Sequence, residues 1–137
     1  MQALIDTNIL LYALDEKEHK KHEIARSIVK NGFNEEIYIS AQNLGELCHK
    51  GKIKFNRDQL ASVKKLAMAI IKSKSWVKIC YTEHTIWNVV SKDSEKYDFW
   101  DLVIYFTMLE NGVTKIITEN EKDFEGLRGI EVINPFK

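Results

Sequence analysis

Short apolar runs at regular intervals constrain this chain more than any other feature. They occupy residues 3–5, 37–39, 76–80, 115–118 and 130–133. Each is too short for a helix, so each reads as a buried strand. Helical periodicity fills the intervals, with apolar residues at Ile24, Ala25, Ile28 and Val29, and again at Leu60, Val63, Leu66, Ala67, Ile70 and Ile71. The implied order is β-α-α-β-α-α-β-α-α-β-β, with a short turn before the last strand. Such alternation predicts an α/β fold, a three-layer α/β/α sandwich on a mostly parallel sheet of about five strands. The chain of 137 residues, with no repeat, linker or low-complexity stretch, is read as a single domain over residues 1–137.

Local signals set the boundaries. Ser40 is placed to cap a helix over residues 41–50, with Gly51 ending it and residues 52–55 as a connector. Asn56 and Gln59 have the spacing of a capping box, and Thr82 caps a further helix. Asn31-Gly32 and Asn111-Gly112 read as helix stops, and residues 91–96 as a polar turn. Residues 102–109, LVIYFTML, are apolar on every side, which predicts a buried helix.

Charge narrows the function classes. The 20 basic and 20 acidic residues cancel, so no overall basic field attracts nucleic acid. A local basic rim, from Lys64, Lys65, Lys72 and Lys74, stays possible, although a solvated face is the simpler account. No apolar run is long enough to cross a membrane, and the first residues lack the pattern of an export signal. Cys48 and Cys80 form no CxxC and read as reduced core thiols, so a cytoplasmic protein is expected.

The acids are distributed with more purpose. In an open parallel sheet, ligands sit outside the carboxyl ends of the strands. Asp6 follows the first strand, although by itself it reads as a helix cap. Glu46 lies off the stripe made by Ala41, Leu44, Leu47 and Cys48, and periodicity alone makes it a surface acid. Asp98 suits an N-cap. Asp101 stands where the buried helix begins, and a lone carboxylate there is costly unless paired or bound to a metal. Further acids follow Thr118. These positions converge on one sheet edge, where carboxylates repel one another and a divalent cation relieves the repulsion. All-oxygen donors favour Mg²⁺ or Mn²⁺ over zinc. His19 and His22 have i, i+3 spacing but no visible partners for a metal.

The segments IDTNILLYAL, LGEL, FWDLVIYFTMLENGV and ITENEKDFEGLRGIEVINP, in that order, resemble the PIN domain, and in particular the VapC-type toxins of toxin–antitoxin pairs. The resemblance implies that Asp6, Glu46 and Asp101 are catalytic, metal-binding acids, and it reverses the surface reading of Glu46. Many family members carry Asp two residues after the Thr of the fourth strand. Here that residue is Asn120, which can ligate through its carbonyl, while Asp123 in the following turn supplies the charge. Asn8 and Thr118 are the implied supporting hydrogen-bond groups, and Asp98 stays open between cap and ligand.

The implied activity is a Mg²⁺-dependent endoribonuclease, with Mn²⁺ as a substitute and an RNA substrate. An antitoxin partner and a homodimer are implied as well. Tyr12, Phe33 and Trp87 are apolar residues available for contacts, yet each reads first as core. Three other readings compete. A receiver-type domain needs an Asp after the third strand, where the chain has Cys80-Tyr81-Thr82-Glu83. A histidine-based ribonuclease needs paired histidines, but His19, His22, His49 and His84 are scattered. A PIN scaffold that binds RNA or protein without cutting is favoured only by Asn120.

Overall fold

The computed structural model describes residues 2–92 and 95–137, so part of the turn expected over 91–96 lies outside the described residues. The elements are β1 (Ala3–Ile5), α1 (Thr7–Leu14), α2 (His19–Asn31), β2 (Ile37–Ser40), α3 (Ala41–Lys54), α4 (Arg57–Lys72), β3 (Trp76–Ile79), α5 (Glu83–Ser91), α6 (Phe99–Glu110), β4 (Lys115–Ile117) and β5 (Glu131–Ile133). A 3₁₀ turn, Glu121–Phe124, precedes β5.

The strands form one sheet in the order β3-β2-β1-β4-β5, and every pairing is parallel. β1 lies at the centre, and all three of its residues are buried. Successive strand side chains point to opposite faces. Ala3 and Ile5 therefore join the core beneath α1–α4, while Leu4 joins the core beneath α5 and α6. This is the expected α/β/α sandwich. The chain runs outward from β1 through β2 to β3, then returns to the other side of β1 as β4. That reversal opens a crevice at the carboxyl ends of β1 and β4.

Helix α6 fills its side of the sheet as its sequence predicts, with Leu102, Val103, Ile104, Tyr105, Thr107 and Met108 buried. The capping boxes at Ser40 and Asn56 form, and Thr82 caps α5. Helix α3 departs from expectation: it passes through Gly51 and ends at Lys54. Gly51 is there for close packing, because a Cβ at that position would lie 2.9 Å from Cγ2 of Val63 on α4. Gly32 does cap α2, but with right-handed φ of −61°. What demands glycine is Trp76, whose ring a Cβ would meet at 2.6 Å.

Several side-chain expectations are corrected. Cys48 and Cys80 are exposed and contribute nothing to the core, because α3 turns Cys48 away from the buried Leu47 and the chain leaves the sheet before Cys80. Trp87 is 70% exposed, and Phe33 is also partly exposed. Phe33 lies in the turn after α2, against the ring of the buried Trp76, and Trp87 is on the solvent face of α5. Ile71, assigned to the apolar face of α4, is exposed at its end as well. His19 is exposed, whereas His22 is buried with Nδ1 2.9 Å from the Tyr12 carbonyl, so the pair does not share an environment suited to a metal. Lys64, Lys65, Lys72 and Lys74 are solvated. Among the described residues no helix is long and apolar enough to cross a membrane.

Candidate active site

The crevice is built around Asp6. The first strand ends at Ile5, and Asp6 caps α1 by accepting a hydrogen bond from the Thr7 amide at 2.9 Å. Capping explains one oxygen contact, but the residue is also buried and collects further donors. Thr118 Oγ1, just past β4, donates to Oδ2 at 2.8 Å. Asn8 Nδ2 approaches Oδ2 at 3.4 Å and Thr118 Oγ1 at 3.2 Å. Asn43 Nδ2, from α3, donates to Oδ1 at 3.3 Å and to Thr7 Oγ1 at 3.1 Å. Asn8 and Thr118 are thus both hydrogen-bonded to the Asp6 carboxylate. Burial still raises the Asp6 pKa above the ordinary carboxylate range, against the pull of Thr118 and Thr7, and the Glu46 charge adds to it.

Glu46 reaches the same network, contrary to the surface reading from periodicity. Its Oε2 accepts from Thr7 Oγ1 at 3.1 Å and its Oε1 from Gln42 Nε2 at 3.0 Å. Lys50 stands 3.9 Å away, one helical turn further along. Glu46 sits on the flank of α3 that faces α1, and a stripe count on α3 alone has no means of seeing that neighbour.

Asp101 enters from the first turn of α6, half-buried. Its pKa is pushed up to about 7, first by burial and then by the charges of Asp123, Asp98, Asp6 and Glu46. The acids named from the sequence therefore lie within electrostatic reach of one another. Asp98 caps α6, accepting from the amides of Trp100 at 3.0 Å and Asp101 at 3.3 Å. It is a cap that also adds charge to the pocket. Asp123, exposed on the 3₁₀ turn, is the strongest of the charges acting on Asp101. Asn120 is exposed, and its amide is tied to Thr118 Oγ1 at 3.0 Å.

Among the described residues no three of these acids are drawn close enough to make a finished metal cage. They are near enough for their charges to raise the Asp101 pKa. Their donor chemistry is nevertheless wholly oxygen, which fits a hard divalent cation. Lys50 lies near Glu46 and offsets part of the cluster's negative charge.

Sequence reasoning missed Thr7, Gln42 and Asn43. Asn43 is the clearest case. It completes the Ser40 capping box and also feeds Asp6, yet the sequence signal accounts only for the cap. A second network was equally unforeseen. Glu119 accepts from Tyr12 Oη at 2.8 Å and pairs with Lys21 at 2.6 Å. Burial raises the Glu119 pKa less than Lys21 and Tyr12 lower it, so it stays ionised and holds the loop after β4 against α1 and α2.

The PIN domain family's sequence model matches residues 3–129. The chain belongs to the PIN domain family. Solved structures agree with this PIN domain throughout its length. A toxin–antitoxin complex from Klebsiella pneumoniae is 21% identical with a TM-score of 0.68, covering 98% of each chain. A VapBC complex from Rickettsia felis, bound to a DNA fragment from its promoter, is 18% identical with a TM-score of 0.68 and covers 98% of each. A sarcin–ricin-loop-cleaving VapC toxin from Mycobacterium tuberculosis is 15% identical with a TM-score of 0.68, covering 94% of this PIN domain and 98% of the toxin. At these identities the likeness establishes the shared VapC-like fold. No curated protein matches the chain.

Proposed function

We propose that this PIN domain is a divalent-metal-dependent endoribonuclease and the toxin of a VapBC-type pair. The observation that carries the proposal is the meeting of Asp6, Glu46, Asp101 and Asp123 at one crevice, with Asp101 pushed up to about 7 by its neighbours. A purely structural acid is placed where it gains a cation partner or caps a helix. Here acids are gathered against each other, which costs stability and is characteristic of a site built for chemistry. Membership of the family and the likeness to VapC folds support the same reading.

Asp6, Glu46 and Asp101, with the Asn120 side-chain carbonyl and Asp123, are the residues that would hold Mg²⁺ or Mn²⁺. The bound cation supplies Lewis acidity toward water and the scissile phosphate. The protein's share of the work is positioning. Thr118, Asn43 and the Thr7 amide fix the Asp6 carboxylate, while Thr7 and Gln42 fix Glu46. Burial and the neighbouring acids push the Asp101 carboxyl up to about 7, and as a carboxylate it would be one of the oxygen donors to the cation. Water is the attacking group, so the products carry a 5′-phosphate and a 3′-hydroxyl. An antitoxin partner is proposed by analogy with the complexes above, and so is a homodimer.

One observation favours the alternative, a PIN scaffold that binds RNA or protein without cutting: Asn120 brings no charge to the fourth acidic position. The deciding experiment incubates the purified protein with total RNA and transfer RNA in Mg²⁺ or Mn²⁺, in EDTA, and as Asp101→Asn. Discrete cuts with 5′-phosphate ends, lost in EDTA and in the variant, are expected. Absence of both cleavage and Mn²⁺ binding would establish the scaffold reading instead.

A further inference from the structure

Beside the acidic crevice three large aromatic side chains are left open to solvent: Tyr81 at 37% exposure, Phe99 at 41% and Trp100 at 46%. They come from different elements. Tyr81 follows β3, and Phe99 and Trp100 begin α6. Trp100 meets Phe99 edge-to-face, with ring centroids 5.1 Å apart at 87°, and meets Tyr81 at 6.0 Å and 64°. Neither contact is a parallel stack. Tyr81 and Trp100 form one wall of a cleft of about 730 Å³, whose other residues are Ala41, Gln42, Glu46 and Cys80. The cleft is therefore apolar and aromatic on one side and runs directly into an acid of the catalytic centre. Gln42 joins the two parts, because its Nε2 donates both to Glu46 Oε1 and to the Trp100 carbonyl at 3.3 Å.

We propose that Tyr81, Phe99 and Trp100 form a stacking shelf for one base beside the scissile phosphate of the RNA being cut. The proposal rests on the nuclease reading above and deepens it. Trp100 precedes Asp101 in the chain, and the Asp98 cap binds both amides. Neighbouring Cα atoms are about 3.8 Å apart. Glu46, Tyr81 and Trp100 also line one cleft, so a phosphate held at the acids brings its own or the adjacent base to the aromatic rings. Every base has a π-face suited to such a surface, but in a duplex that face is already covered by its neighbours. An incoming protein segment would gain from the apolar wall yet meet the carboxylates with no phosphate to bring cations with it, so RNA is the better match.

Fluorescence makes the shelf visible. Of the three tryptophans, Trp76 is fully buried and Trp87 is exposed on α5, so in Trp87→Phe the responsive emission belongs to Trp100. Stopped-flow mixing of this variant with a single-stranded RNA hexamer in Mg²⁺ should give a saturable quench before cleavage proceeds. A duplex of equal length should give none. Removing the base at one position of the hexamer should abolish the quench while the phosphates remain. Trp100→Leu should weaken hexamer binding by about tenfold or more, and Trp100→Tyr should restore most of it. A quench insensitive to every abasic position, or unchanged affinity in Trp100→Leu, would overturn the shelf and leave the rings to a protein contact. The two proposals fail separately. An abasic-sensitive quench without cleavage removes the nuclease and keeps the shelf, whereas cleavage without the quench removes the shelf alone.

Discussion

At neutral pH the Asp101 carboxyl stands at the middle of its own titration, raised from 3.8 to about 7 by burial and by four neighbouring acids. Between those values the folded protein holds a proton that the unfolded chain releases. Stability of the metal-free protein must then fall as pH rises from about 4 to about 7, and level off above. Because the carboxyl is only half-buried, solvent screens much of the effect, and on the order of 1 kcal/mol is expected from this residue. Asp101→Asn removes the penalty. In EDTA at pH 8 the variant should melt higher than the parent by about 3–5 °C, with a flatter pH profile, while losing cleavage. Melting curves across pH check this, and a lower melting temperature in the variant would mean that the acids are not in fact opposed. Asn43 poses the opposite case, a polar side chain with no exposure that both caps α3 and holds Asp6. Asn43→Ala strips a donor from Asp6 and breaks the Ser40 capping box, and should cost about 2–3 kcal/mol by urea unfolding.

Helix α3 shows where a chain's local signals stop short. Its start was legible, because Ser40 is a strong cap and follows an apolar strand. Its end was not, because a glycine reads equally as a stop or as a place where another helix comes close. Only the packing of Val63 on α4 distinguishes the two. The two glycines of this helix give opposite predictions. A Cβ on Gly45 would have nothing within 4 Å, so Gly45→Ala should stabilise by about 0.5–1 kcal/mol through helix propensity alone. At Gly51 the same gain is opposed by overpacking against a stiff, buried β-branched side chain, and Gly51→Ala should be neutral to destabilising by about 1 kcal/mol. Thermal unfolding of the pair, in one background, measures the difference directly. Glu46 was obscured for the same reason as Gly51: periodicity describes a helix alone in water, and the neighbour that gives Glu46 its role is Thr7 on α1.

Across the whole molecule, the layers and the parallel sheet were legible because short, mostly apolar strands alternate with stretches of helical periodicity. The strand order was not, since five such runs are interchangeable in composition. That order is what brings the ends of β1 and β4 together, so the partnership of Asp6 with Thr118, 112 residues apart, is a property of the fold and of no local segment. The same topology makes the acid cluster a liability for the metal-free chain, and under the proposed function it ties folding to cation binding. A cation that binds only the folded state stabilises it by mass action, about 2.7 kcal/mol at a hundredfold excess over its dissociation constant. Mn²⁺ or Mg²⁺ should therefore raise the melting temperature progressively, EDTA should reverse the rise, and salt of equal ionic strength should not reproduce it. Asp101→Asn should start higher and gain little, so the two melting curves converge or cross as the cation is added. Parallel rises in both proteins would mean that the ion binds elsewhere, and the assignment of Asp101 as a ligand would fall with that result.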